Sequence, residues 1–393
     1  MFRGSLVSEP NRPVSAPTVR FSARAMACEF SVVLNRGGNE FADAASEVLE
    51  RVHALEECMT AYRDDSELSR LNRTSAATGV SADLFSVVKQ AVDLFDRTEG
   101  RFDPTAGPLI ALWRECRQEQ RVPTDDEMKS ILKCVGGQHV GLQTPTPSRD
   151  SRNESSSSSE PEPLNSELQT LNSESGPETH GSEKSGVQSS ANNAQSQGQP
   201  QTQSPRTVQL GQNVQLNLGA IGKGFALDEA GKLMRSHGVG DWLLHGGRSS
   251  ILAAGDHNSQ GGWPVGIGNP IFTNKRLGIV LLTDQALGTS GSNIQYFRHD
   301  GKRYGHILDP RTGWPASSVA SVTVLAPTAA EADALSTAFF VGGVEFAQTY
   351  CDNRPQVSAI LIPFPESGTM IEPVLVNVPA DRISWSSEQV KPG

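Results

Sequence analysis

The sequence predicts an α+β fold of largely antiparallel or mixed sheets with packed helices, and three observations lead there. Strand-like runs at Trp242-Leu-Leu-His-Gly-Gly247, Trp263-Pro-Val-Gly-Ile-Gly268, Leu277-Gly-Ile-Val-Leu-Leu282, Ser321-Val-Thr-Val-Leu325 and Val357-Ser-Ala-Ile-Leu-Ile362 are mostly joined by connections of hairpin length. Helical runs carry their own start signals, as at Thr124-x-x-Glu127 and Thr328-x-x-Glu331. A polar tract at 144–206 interrupts this pattern without dividing it into two domains.

In chain order, residues 1–18 read as a flexible tail. Glu29-Phe-Ser-Val-Val-Leu34 alternates as a strand, and Phe41, Ala45, Val48, Leu49, Val52 and Leu55 recur at helical spacing across 39–58. The run 59–72 is too rich in hydrogen-bonding groups for a plain linker, unless it is a helix start capped by Asp65 or Ser66. Ser81 caps a further helix with Leu84, Val87, Val88, Ala91 and Phe95 inward and Gly100 at its C′ position. In Phe102-Asp-Pro-Thr-Ala-Gly-Pro-Leu109 a carboxylate and a hydroxyl two residues apart either fix a ligand or cap the helix that begins near Pro108. The helix opened by Thr124 ends at Gly136 and leads into His139-Val-Gly-Leu-Gln143.

The tract 144–206 is Ser, Gln, Glu, Pro and Asn, with Leu164-Asn-Ser-Glu repeated at Leu171-Asn-Ser-Glu. It cannot bury enough apolar surface to offset its ordering entropy, which predicts disorder. Its flanks, 139–143 and 207–210, read as two strands of one hairpin. The folded domain is therefore 19–143 continued by 207–381, with 382–393 as a second tail.

The chain has 393 residues and a net charge of −10. Four Lys/Arg stand against eight Asp/Glu in 144–206, so four of those ten charges belong to the insertion and the rest is mildly acidic. No basic patch is present to neutralise nucleic-acid phosphates. Cys28, Cys58, Cys116, Cys134 and Cys351 are scattered, odd in number and without CxxC spacing, which argues against a disulfide framework or a zinc site. No run approaches the roughly 20 apolar residues of a membrane span, and 1–25 lacks the apolar core of a secretory signal, so the expected compartment is the cytoplasm.

Three stretches carry chemistry. Val214-Gln-Leu-Asn-Leu-Gly-Ala-Ile-Gly-Lys-Gly-Phe-Ala-Leu-Asp228 reads as a strand passing through glycines into a helix that runs to about His237, where backbone N–H groups and Lys223 could meet phosphate. Gly224 after Lys223 rules out a P-loop. The helix opened by Thr328 ends near Gly342 and puts Asp333 and Thr337 one turn apart, either a hard-cation pair or a solvated face. Arg303-Tyr-Gly-His-Ile-Leu-Asp-Pro-Arg-Thr-Gly-Trp-Pro315 sets His306 beside Asp309, Arg311 and Thr312; it is either a proton-transfer cluster or a tight turn beside a core imidazole.

Taken together and in order, these segments resemble the ApbE family, the flavin transferases that move FMN from FAD onto a protein. The resemblance runs from about Met26 to about Ala380 without the insertion. It is carried by Met26, Tyr-Arg-x-Asp-Ser-Glu-Leu-Ser-Arg-Leu-Asn at 62–72, Phe102 to Leu109, Leu218 to Asp228, Gly246-Gly247, Thr289-Ser-Gly291, His306 to Gly313 and Ala332-Asp-Ala-Leu-Ser-Thr337. It implies a T-fold-like architecture, with FAD as substrate and Mg²⁺ as cofactor. It places Met26, Tyr62, Asn72, Asp103, Pro104, Thr105, Asn217, Lys223 and Ile307 at FAD, and Asp333, Thr337, Ser336 and the carbonyl of Ala220 at the metal. His306 takes the catalytic position. Asn217 stands where the family usually has Asp, Cys28 where it has Thr, Arg248 where Asp or Asn is common, and Ser292-Asn293 replace an acidic-aromatic pair.

The function so implied is Mg²⁺-dependent transfer of FMN from FAD to a Thr or Ser hydroxyl, with AMP released. The implied partner is an acceptor protein carrying an Asp-x-x-Ser/Thr-Gly-Ala-Ser/Thr-like motif. Two alternatives share the site: a pyrophosphatase yielding FMN and AMP, and a non-catalytic FAD-binding protein.

Overall fold

The computed structural model describes residues 18–35, 38–144, 205–272, 274–291, 296–365, 370–385 and 390. Residues 145–204 of the insertion expected to be disordered, and the Ser292-Asn293 pair, lie outside the described residues. The residues flanking 145–204 form one unit, 1–144 with 205–393.

The described chain opens with a hairpin. Strand β1 (Thr18–Ala25) pairs antiparallel with β2 (Cys28–Asn35) across Met26 and Ala27, both at the positive φ that a two-residue hairpin turn demands. Thr18, read from sequence as tail, is thus a strand residue. Helix α1 (Ala42–Met59) buries Ala45, Val48, Val52 and Leu55, as its spacing predicts. Helix α2 (Glu67–Thr74) starts at Ser66, whose hydroxyl accepts the Ser69 N–H at 2.9 Å. After β3 (Ala76–Thr78), α3 (Ala82–Arg97) is capped by Ser81, but buries Leu94 and leaves Phe95 half-exposed.

Helix α4 (Gly107–Gln118) has no side-chain cap; α5 (Asp125–Leu132) has the full Thr124–Glu127 capping box and stops four residues before Gly136. Strands β4 (Val140–Gln143) and β5 (Thr207–Leu210) pair antiparallel on either side of the insertion, and β3 joins β5. Residues 214–218 are not a strand. Asn72 accepts the Leu216 N–H at 2.8 Å and donates to the Leu216 carbonyl at 3.0 Å, so a side-chain amide satisfies the backbone that a strand would have paired. Helix α6 (Gly222–Ser236) follows.

The strands that come next are β6 (Trp242–Gly246), β7 (Ser250–Ala254), β8 (Trp263–Gly268), β9 (Arg276–Leu282), β10 (Ala286–Gly291), β11 (Tyr296–His299), β12 (Lys302–Gly305) and β13 (Ser321–Ala326), of which β6, β7, β10 and β13 belong to the main sheet. Helix α7 (Ala329–Asp352) is two helical runs joined at Gly343, whose φ of +74° breaks it beside the expected end. Strands β14 (Ser358–Ile362), β15 (Val374–Val376) and β16 (Ile383–Trp385) complete the chain; the last, read as tail, pairs with β9.

Eight strands form one antiparallel sheet in the order β1-β2-β6-β7-β10-β13-β14-β15. Alternation splits it into two buried faces. Phe30, Trp242, Leu252, Val324 and Leu361 pack under α1, α6 and α7. Leu287, Leu325, Ile360 and Ile362 meet Trp263, Val265, Val280 and Leu282 of the small β16-β9-β8 sheet. The hairpin of β11 and β12 stands apart and stacks Phe297 on Tyr304 at 5.3 Å.

Candidate active site

The site begins where β10 runs against α7. A Cβ on Gly288 would lie 2.4 Å from the Ala332 carbonyl, so only glycine allows the approach that brings Ser290 onto the next turn of α7. The Ser290 hydroxyl stands 2.9 Å from that of Ser336 and 3.3 Å from that of Thr337. Asp333 is 5% exposed; its carboxylate accepts the Gly224 N–H at 2.9 Å and the Ser250 hydroxyl at 2.7 Å, with the Lys223 ammonium at 3.6 Å. Burial pushes its pKa up, and Lys223 opposes that rise most. The solvated-face alternative for the Asp333–Thr337 pair is thereby set aside: this face of α7 is interior.

Lys223 comes from the first turn of α6. Gly224 has no room for a side chain, since a Cβ would stand 2.1 Å from the Ala329 carbonyl. The start of α6 is thereby locked to the start of α7. Asp228, one turn on, accepts the Ala329 and Ala330 N–H groups at 2.7 and 2.9 Å and so caps α7. Its enclosed carboxyl is pushed up to about 6 by desolvation, against the lowering effect of those two bonds.

The turn after β12 carries His306. The Asp309 carbonyl accepts from Gly313 at 2.8 Å, and Asp309 donates its own N–H to the Trp314 carbonyl at 2.8 Å. The Arg311 guanidinium grips the Asp309 carboxylate through Nε at 2.9 Å and a terminal nitrogen at 2.7 Å. Asp309 and Arg311 therefore frame the turn. Trp113 of α4 anchors it, donating Nε1–H to the Gly313 carbonyl at 2.7 Å and packing its ring 5.6 Å from Tyr304. His306 itself is exposed.

These pieces enclose a cavity of about 640 Å³. Of the residues named from sequence, Tyr62, Asp103, Asn217, Ala220, Lys223, His306, Ile307, Asp333, Ser336 and Thr337 line it. Met26, Asn72, Pro104 and Thr105 do not. Met26 sits in the β1–β2 turn with its N–H on the Glu56 carboxylate at 2.6 Å. The Asn72 amide is consumed by Leu216. Thr105 is fully buried, with its N–H and hydroxyl on Asp103 and its oxygen accepting the Gly136 N–H at 2.6 Å, and Pro104 offers its carbonyl to Asn217 at 2.7 Å. Asp103-Pro-Thr105 is thus a hydrogen-bonded turn, not a cap for α4, whose N-cap is Ala106.

Several lining residues were not foreseen: Arg101, Arg114, Arg117, Trp113, Tyr304 and Ser290. Ala106, Ile110, Trp113, Arg114 and Arg117 recur at helical spacing along α4, a signal present in the sequence but masked by the arginines at its end. Four cations, Arg101, Arg114, Arg117 and Lys223, face the cavity against the carboxylates Asp103 and Asp333, a balance suited to an anionic ligand.

Among the described residues no cluster of three His, Cys, Asp or Glu side chains offers a metal site. The donors at hand are one carboxylate, the Ser336 and Thr337 hydroxyls and the Ala220 carbonyl, all hard oxygens and all in the cavity wall. That set fits a cation such as Mg²⁺, which takes few protein oxygens and completes its shell with water and phosphate. No helix among the described residues is long and apolar enough to cross a membrane.

A family model described as the ApbE family matches residues 26–361. The FAD:protein FMN transferase of Treponema pallidum is 30% identical over 351 residues, covering 86% of this chain and 82% of that protein. The protein of the same name from Haemophilus influenzae is 29% identical over 298 residues, covering 74% of this chain and 69% of its own. The crystal structure of the ApbE protein of Thermotoga maritima shares the fold, with a TM-score of 0.66 at 23% identity over 88% of this chain and 94% of that one.

Proposed function

We propose, from the premise that this chain belongs to the ApbE family, that it transfers FMN from FAD to a Thr or Ser hydroxyl of an acceptor protein and releases AMP, with Mg²⁺ as cofactor. The observation that carries the reading is the cavity on which Lys223, Asp333, the Ser336 and Thr337 hydroxyls and His306 converge from three separate segments.

The roles follow from the chemistry of each group. Lys223 would hold the FAD pyrophosphate by charge and offset the negative charge that grows on it during displacement. Asp333, Ser336, Thr337 and the Ala220 carbonyl would hold Mg²⁺, which when bound supplies Lewis-acid stabilisation of the phosphoryl oxygens. His306 would take the hydroxyl proton of the acceptor at a ring nitrogen as the acceptor oxygen bonds to the phosphorus of the FMN half. The bond from that phosphorus to the bridging oxygen breaks, and the oxygen leaves with AMP. His306 is exposed, as a group that must meet a second protein has to be. The acceptor motif expected from the family belongs to this reading too.

The test uses the purified chain with FAD, MgCl₂ and an acceptor domain bearing that motif. The expected result is a flavin-fluorescent acceptor band, and His306→Ala should cut its rate by about 10²–10⁴ while FAD still binds. A dark band with a competent acceptor overturns the reading. FMN and AMP accumulating without an acceptor would show water in place of the hydroxyl.

A further inference from the structure

The cavity has a second cationic end that FAD does not account for. Along α4 the lining residues run from Ala106 to Arg117, a rise of about 16 Å at 1.5 Å per residue. The inner end is tied to the Lys223 segment by the Asn217 N–H on the Pro104 carbonyl and by the Ala106–Gln215 bridge. The outer end is tied to the turn that carries His306, because Trp113 holds the Gly313 carbonyl and Arg114 is the next residue.

Arg114 and Arg117 are exposed there, and among the described residues neither has a carboxylate within ion-pair distance. The nearby acids are taken: Glu115, Glu119 and Glu127 all face Arg121. Arg114 is oriented by Tyr62, 74% exposed, donating to its hydroxyl at 3.3 Å with the guanidinium 5.4 Å from the ring centre. FAD bears its negative charge on the pyrophosphate alone, and that belongs with Lys223 at the inner end. The charge of the outer pair is left for the other substrate, although Arg114 also touches Tyr62, a residue the resemblance places at FAD.

We propose that Arg114 and Arg117 are a docking site for carboxylate side chains flanking the accepting hydroxyl on the acceptor protein, an inference that rests on the transferase reading above. Guanidinium pairs with carboxylate in a fixed fork, so the contact sets register as well as attraction. On a chain of net charge −10, which repels acidic proteins at large, such a patch selects where one may approach.

The experiment measures steady-state FMN transfer by unmutated chain, Arg117→Glu and the double variant Arg114→Gln/Arg117→Gln. It is run against the acceptor domain and against the same domain with the Asp and Glu flanking its modified hydroxyl changed to Asn and Gln, with FAD affinity read separately from flavin fluorescence. The expected outcome is an acceptor KM raised about tenfold or more by either change alone, and little further by both together, with kcat and FAD affinity held within about twofold. If FAD affinity falls while acceptor KM is unchanged, the arginines serve the dinucleotide and the inference fails alone. A KM that no variant moves also overturns it. An unmutated chain that labels no acceptor overturns the transferase reading, and this inference with it.

Discussion

At the scale of single residues the decisive group is Asp333. A carboxylate 5% exposed, with one ammonium at 3.6 Å, is a costly thing to keep in a protein interior. A divalent cation bound beside it would lower that cost, so MgCl₂ should raise the melting temperature of the FAD-free chain, and Asp333→Asn should abolish the increment. A melting temperature indifferent to Mg²⁺ in the unmutated chain would refute the assignment of these oxygens without reference to turnover. Asp309 and Arg311 illustrate the other outcome for charged residues near the chemistry. Both stand within five residues of His306, yet their charges are spent on each other to hold the turn.

At the scale of elements, α7 depends on an acid from another helix. Asp228 ionises at about 6 when folded, above the ordinary carboxylate range. Since the folded form holds its proton more tightly, this group's contribution is full below about pH 4 and is lost as pH rises through 6, by about 3 kcal/mol in all. Chemical denaturation at pH 5 and pH 7 should show this component as falling stability, and Asp228→Asn should flatten it while costing about 1 kcal/mol at the helix start through one lost cap bond. Element identity was legible where local chemistry and packing agree, as at α1, α5 and β8. It was misread where partners elsewhere decide. Residues 214–218 have a strand's composition, but the Asn72 amide claims Leu216. Conversely, β10 contains two glycines and carries no strand pattern of its own, yet pairing with β7 and β13 and the Gly288 approach to α7 make it the strand that positions Ser290. His306, Lys223 and Asp333, singled out by the order of the motifs that hold them, all line the cavity, whereas Arg101, Arg114 and Arg117 belong to no motif and emerge only when α4 is set against the turn at 306–313.

At the scale of the whole molecule, the cavity draws on Tyr62, α4, the start of α6, the His306 turn and α7, and none of these adjoins 144–206 in sequence. Joining Thr144 directly to Pro205 leaves a three-residue link between Gln143 and Thr207, which are already paired across β4 and β5. Loop-closure entropy varies only with the logarithm of length, so that deletion should raise stability by no more than about 3 kcal/mol. FMN transfer should survive it, and a shortened chain that fails to fold would contradict the hairpin. The order of strands bears also on the chain's manufacture. From β6 onward, main-sheet neighbours appear in the order in which they are translated, but Leu34 of β2 pairs with Trp242, roughly 200 positions later. At about 5–20 residues per second, a nascent chain waits about 10–40 s with the open edge of β2 unpartnered, the interval in which a ribosome-associated chaperone would have most to shield.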